Sequence, residues 1–117
     1  MQAWITQLRR GLLEYCILQV LRRGESYGYR IVQDLRRIEA FAVSESTVYP
    51  ILHRLQRERM LRVRDVPSEE GPSRRYVSLT PAGRARAAAM DCYWKELAGA
   101  IDALNKPAAE GGPRREE

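Results

Sequence analysis

The chain is poor in the residues that most often carry chemistry. Its 117 residues include one histidine, His53, and two cysteines, Cys16 and Cys92. The cysteines lie far apart and form no CxxC pair, so they read as buried, reduced core thiols rather than a redox or metal site. A lone histidine without an HxxxH partner builds no zinc site, and His53 reads as a surface residue. No Ser/His/Asp set, paired-carboxylate motif or glycine-rich phosphate loop stands out. No catalytic residue, metal or cofactor is therefore assigned, and the chain reads as a non-enzyme. No apolar run reaches the roughly 18 residues of a membrane span. Met1-Gln2-Ala3-Trp4 lacks the charged start and apolar run of a secretion signal. The expected location is the cytoplasm.

What is present fits a small globular protein. The length suggests one domain with a modest core, part of which a partner subunit would complete. Hydrophobic residues make up 44% and charged residues 30% of the chain, a globular balance. Lys and Arg total 20 against 15 Asp and Glu, for a net charge of +5 and an isoelectric point near 9.6. Nearly all the positive charge is arginine, whose planar fork suits phosphates and guanine edges. The balance favours a polyanionic partner, although +5 alone is a weak signal.

The apolar periodicity predicts four helices and a hairpin. From Trp4 to Arg23, Leu8, Leu12, Leu13, Cys16, Ile17, Val20 and Leu21 recur at helical spacing, and Gly24 is a stop signal. Ser26 reads as the N-cap of a second helix over 27–38, with Ile31, Val32 and Leu35 inside. Gly28 within it is unfavourable by about 1 kcal/mol relative to alanine, and close approach of another backbone would explain it. A third helix starts near Ser44, with Val48, Ile51, Leu52 and Leu55 on one face. Pro50 there implies a kink or an irregular first turn. Leu61 to Val66 alternates as a strand, Pro67 to Ser73 reads as a loop, and Arg74 to Leu79 returns. Thr80-Pro81 starts a long helix running to about Asn105, and Pro107 ends it.

Three helices followed by a hairpin form the order of a winged helix-turn-helix, in an α+β, mainly α fold. The third helix would then be the reader, since the major groove, about 12 Å wide, admits one helix. Its outer side carries Ser44, Ser46, Thr47, Tyr49, His53, Arg54 and Arg57. Ser44, Ser46, Thr47 and Tyr49 would lie nearest the bases and phosphates, and Arg54 and Arg57 further along, beside the backbone. Serine and threonine discriminate poorly between bases, so DNA shape would supply part of the specificity. Arg74 and Arg75 alternate on a strand, so only one of them faces DNA. Glu69 and Glu70 make the wing tip repel phosphate.

At four blocks in this order the sequence resembles the PadR family of bacterial transcription regulators. They are Leu8-Arg9-Arg10-Gly11-Leu12-Leu13, Gly24-Glu25-Ser26-Tyr27-Gly28-Tyr29-Arg30-Ile31, Ser46-Thr47-Val48-Tyr49-Pro50-Ile51-Leu52-His53-Arg54-Leu55, and the run from Gly71 through Arg74-Arg75-Tyr76-Val77 to Gly83. The family keeps a proline in its reading helix, as at Pro50. It often has a basic residue where this chain has Pro72 or Ser73, and Tyr-Tyr where it has Tyr76-Val77. The resemblance implies double-stranded DNA with a palindromic operator as partner. It also implies a homodimer joined mainly by the C-terminal helix, with help from the first. The chain then divides into a winged helix-turn-helix over 1–79, a long C-terminal dimerisation helix over 80–106 and a disordered tail over 107–117. Tyr27 and Tyr49 would either donate hydroxyls to phosphates or pack half-buried. Trp94 would either sit in a ligand-free dimer core or stack on a flat aromatic small-molecule effector in a space lined by Leu12, Cys16, Met90, Tyr93, Leu97 and Ile101. Two rivals stand beside this reading: a winged helix that binds protein and no DNA, and an enzyme built on the cavity around Trp94.

Overall fold

The computed structural model describes residues 3–107. Of the expected tail, only Pro107 falls among the described residues. Helix α1 spans Ala3–Arg22. Leu13, Ile17, Leu18 and Leu21 are its buried residues, so the inner stripe includes Leu18, which the periodicity passed over. Leu8, expected in that stripe, points outward with 63% of its surface exposed. Gly24 follows at φ +146° and stops the helix as expected.

Strand β1, Ser26–Tyr27, was not expected. It pairs antiparallel with β3, Gly71–Leu79, through Ser26–Val77 and Tyr27–Tyr76. Ser26 is therefore not an N-cap. It is buried in the sheet, its hydroxyl accepts a hydrogen bond from Arg30 Nε at 3.1 Å, and Tyr27 occupies the cap position with no side-chain cap bond. Helix α2 spans Gly28–Leu35 and ends short of Ile38, where a 3-10 turn over Glu39–Phe41 takes over. That turn buries Phe41, and Val43 is buried just after it.

Helix α3 spans Glu45–Arg57 and runs on through Pro50. The expected kink or irregular turn is absent: the N–H groups of Thr47 and Val48 both reach the Ser44 carbonyl at 3.1 Å, the shared bonding usual at a helix end. Pro50 is exposed, and so is Ser46, whose carbonyl loses a helical donor. That carbonyl stands on the solvent side, which lowers the cost of the missing bond.

The hairpin is longer than its turn residues suggested. Strand β2 covers Leu61–Ser68 and pairs with β3, leaving Glu69–Glu70 as the turn. Pro67 sits inside β2 rather than in a loop. The register shifts between Val66 and Ser68, and the order β1-β3-β2 makes β2 an edge strand. A proline is tolerated at an edge bulge, where its missing N–H is not needed.

Helix α4, Pro81–Leu104, begins as expected: Thr80 Oγ1 accepts from the Gly83 N–H at 3.0 Å. The same hydroxyl donates to the Arg59 carbonyl at 2.7 Å. A Cβ on Gly83 would lie 2.0 Å from the Met60 carbonyl oxygen, so α4 starts hard against the backbone before β2. Ala87 is fully buried against α1, where Gln19 Nε2 donates to its carbonyl at 2.9 Å. The core joins α1, α2, α3 and the inner side of the sheet through residues such as Ile17, Ile31, Val48, Leu55 and Val77. No helix is long and apolar enough to cross a membrane among the described residues.

Candidate nucleic-acid interface

Helix α3 has one sealed side and one open side. Val48, Leu52 and Leu55, at i, i+4 and i+7, are buried, with Ile51 half-buried beside them. Ser46, Pro50, His53 and Arg57 stand opposite and are all exposed. Ser44 is the N-cap but does not cap with its side chain; its hydroxyl lies 2.9 Å from that of Ser46 and 3.5 Å from that of Thr47. The helix therefore presents three hydroxyls at its start and His53 and Arg57 further along.

A cleft of about 390 Å³ separates α3 from the wing, with Tyr27, Gly28, Tyr49, His53, Arg74 and Arg75 in its walls. Gly28 is explained by a side chain, not by another backbone. A Cβ there would lie 2.4 Å from Tyr49 Cε1, so the missing side chain lets the Tyr49 ring rest on the start of α2. Burial, reinforced by Glu45 one turn back, holds the Tyr49 phenol above its ordinary range. Tyr27 is half-buried and acts as a platform. Its ring meets Tyr76 edge-on at 5.3 Å, with the guanidinium of Arg74 at 4.4 Å and that of Arg30 at 4.9 Å.

The two wing arginines both reach the cleft but have different partners. Arg75 is paired with Asp65, its cross-strand neighbour, at 3.3 Å, while Arg74 stacks on Tyr27. Arg54, expected beside the DNA backbone, is engaged within the protein. Its guanidinium turns toward α1, reaching Glu14 at 2.5 Å and Glu58 at 3.2 Å. The hydrogen bond that Arg54 donates to Glu14 is the main reason its charge is held still more firmly than usual. Glu14 also receives Arg86 at 3.5 Å, so these residues tie α3, α1 and α4 together. Arg57 is exposed.

Leu12, Met90, Tyr93, Trp94, Leu97 and Ile101 come together as expected, around an apolar hollow of about 760 Å³ between α1 and α4. Cys16 does not join them. One residue is a 100° step on a helix, and it is Tyr15 that lines the hollow. The Tyr15 ring lies 5.8 Å from that of Trp94, and its hydroxyl donates to Asp91 Oδ1 at 2.8 Å. Burial and that bond push the Tyr15 hydroxyl up to about 12. Tyr15 escaped the sequence reading because a polar-tipped residue beside an apolar stripe carries no periodic signal. Cys16 faces a separate groove toward Ile38, with its thiol raised by burial. Cys92 is exposed, which corrects the expectation of two buried thiols. Among the described residues, no group of three or more His, Cys, Asp or Glu could hold a metal.

A reading helix, a paired second helix and a hairpin wing on one core define a winged helix-turn-helix protein. The PadR-like transcriptional regulator family matches residues 17–89. The chain belongs to that family. It is similar to the transcriptional regulator Rv3488 of Mycobacterium tuberculosis, with 35% identity over 79 residues, 68% of this chain and 72% of that one. It is also similar to a PadR-like transcriptional regulator of Bacillus cereus, with 29% identity, a TM-score of 0.79 and coverage of 87% of this chain and 99% of that one. Bacillus subtilis PadR, in complex with operator DNA, shares the fold at a TM-score of 0.60 and 21% identity, over 90% of this chain and 52% of that one.

Proposed function

We propose that the chain is a cytoplasmic, homodimeric transcription repressor that reads a palindromic operator with α3 and is released by a small molecule bound between α1 and α4. The observation that carries the DNA reading is the open polar side of α3, backed by a sealed apolar side that fixes its angle. Ser46, Thr47, His53 and Arg57 face base edges and phosphates. Ser44 and Tyr49 orient the start of that surface, and Arg74, held on Tyr27, is the wing arginine aimed at DNA. Arg75 is spent on Asp65, and Arg54 on α1. The complex of Bacillus subtilis PadR with operator DNA supports the same partner for this chain.

Residues 1–79 form the reading unit in this proposal, and 80–106 the dimerisation helix. Two copies present their α3 helices to half-sites about one helical turn apart, or a multiple of it. Binding over a promoter blocks transcription. The hollow around Trp94 takes a flat aromatic effector that changes the angle between the heads. The family's members are regulators, and this chain works by binding rather than turnover.

The test is binding to a duplex carrying the palindrome upstream of the neighbouring operon, against a random duplex, at several salt concentrations. Tight binding to the palindrome that falls steeply with salt is expected, since phosphate contacts release counterions. Binding to no duplex at low salt would instead make the chain a protein-interaction winged helix.

A further inference from the structure

We propose that the groove between α1 and α3 is a second phosphate-binding surface, in which Arg10 of α1 acts together with Arg57 of α3 on the DNA backbone. The proposal rests on the DNA reading above and adds a strand contact to it. The groove, about 560 Å³, is walled by Arg9 and Arg10 on one side and by Thr47, Arg54 and Arg57 on the other, over Leu13. Four arginines line it, and no carboxylate does.

The four are not equivalent. Arg54 is neutralised by Glu14 and Glu58, and Arg9 donates to the Phe41 carbonyl. Arg10 and Arg57 are both exposed, and neither has an ion-pair partner among the described residues. Two uncompensated guanidinium groups thus converge on a groove with a hydroxyl, Thr47, in its wall. Guanidinium and hydroxyl donors supply many of the contacts that proteins make to DNA phosphates, and a groove beside the reading helix places them at the backbone rather than over the base edges.

The dimensions say which phosphates. A helix with its side chains is about 10–12 Å across, and the major groove is about 12 Å wide. A helix seated there has one backbone strand along each flank. The wing lies on one flank of α3 and meets one strand. Helix α1 lies on the other flank, and its groove faces the second strand. The wing flank is partly self-neutralised, with Arg75 on Asp65 and Glu69–Glu70 at the tip. The α1 flank holds the surplus of positive charge.

The experiment compares the wild-type chain with Arg10→Ala, Arg57→Ala and Arg37→Ala, the last an exposed arginine outside the groove. Affinity for palindromic and random duplexes is measured across salt concentrations. Arg10→Ala and Arg57→Ala should each flatten the slope of log affinity against log salt by about 0.9. That is a roughly 3.5-fold smaller loss across a roughly fourfold rise in salt. Both should weaken the two duplexes alike, and Arg37→Ala should leave the slope unchanged. An unchanged slope in Arg10→Ala, with wild-type binding intact, overturns the groove and leaves the DNA reading standing. A change in Arg57→Ala alone also overturns it, because Arg57 would then act from the helix without α1. Absence of duplex binding by the wild-type chain overturns both.

Discussion

Val48 and Leu55, on the inner side of α3, are sealed from solvent, whereas Leu97 and Ile101, on α4, keep 37% and 44% of their surface exposed. The same kind of side chain thus meets two fates in one molecule. Around α3 the core is closed by α1, α2 and the sheet, and no buried polar side-chain atom among the described residues lacks a partner. Along the outer side of α1 and the far half of α4, Leu8, Tyr93, Trp94, Leu97, Ile101 and Leu104 stand in water. Covering one such side chain is worth about 1.5–3 kcal/mol, a gain that a single copy leaves unrealised. The core around α3 is closed within one chain, and the helical face behind it is left uncovered.

The contrast breaks first if the head is not closed. Leu55 is fully buried between α3 and the rest of the core. Leu55→Ala should remove about 2–5 kcal/mol of stability, the cost of a buried leucine plus its cavity. Chemical denaturation followed by circular dichroism reads this directly. A loss below about 1 kcal/mol would mean that the site relaxes freely, contrary to a closed core.

How far the sequence anticipated this depends on how local each signal is. The inner face of α3 was legible because Val48, Leu52 and Leu55 repeat at the helix period, and Thr80-Pro81 was legible because a cap lies within one turn. The acidic wing tip was legible from Glu69 and Glu70. What failed depended on distant partners. Ser26 looked like a cap until Val77, 51 residues on, claimed its backbone. Arg54 gave no local sign of its ion pair with Glu14, 40 residues earlier. Cys16 was placed in the hollow that Tyr15 lines, because a wide apolar face cannot show which 100° sector meets α4. Arg10 stood in a block of the family resemblance, but nothing local states that α1 crosses the flank of α3.

The exposed half of the contrast is tested by placing a charge on it. Leu97 lines the hollow beside Trp94 and lies outside the closed core. Leu97→Asp should leave the head folded but shift the chain from dimer to monomer by sedimentation or light scattering, because an unpaired carboxylate opposes burial at the interface. Affinity for a palindrome should fall more than affinity for a half-site. Quenching of Trp94 by a flat aromatic ligand should fall as well, against a background from Trp4, which is 62% exposed. A dimer of unchanged affinity in this variant would place the second surface elsewhere.

The smallest effect lies within the head, where the wing meets the entrance to α2. Arg64 on β2 holds Glu25 through two bonds of 2.6 and 3.0 Å, and its guanidinium lies 5.6 Å from the centre of the Tyr76 ring. The Arg64 hydrogen bond holds the Glu25 carboxyl below its ordinary value of 4.5. The folded state therefore favours ionised Glu25, and the contribution is fully present above the unfolded value. It fades as pH falls from about 4.5 through the lower folded value, while Arg64 stays charged throughout. Both side chains are partly open to water, so screening keeps the contribution small. Glu25→Gln should lower the melting temperature slightly at neutral pH, more at low salt than at high, and its melting curve should converge on the wild type below the carboxylate range. A difference that persists in acid would mean that Glu25 packs the wing by shape rather than by charge, and the head's closure would then owe nothing to this pair's ionisation.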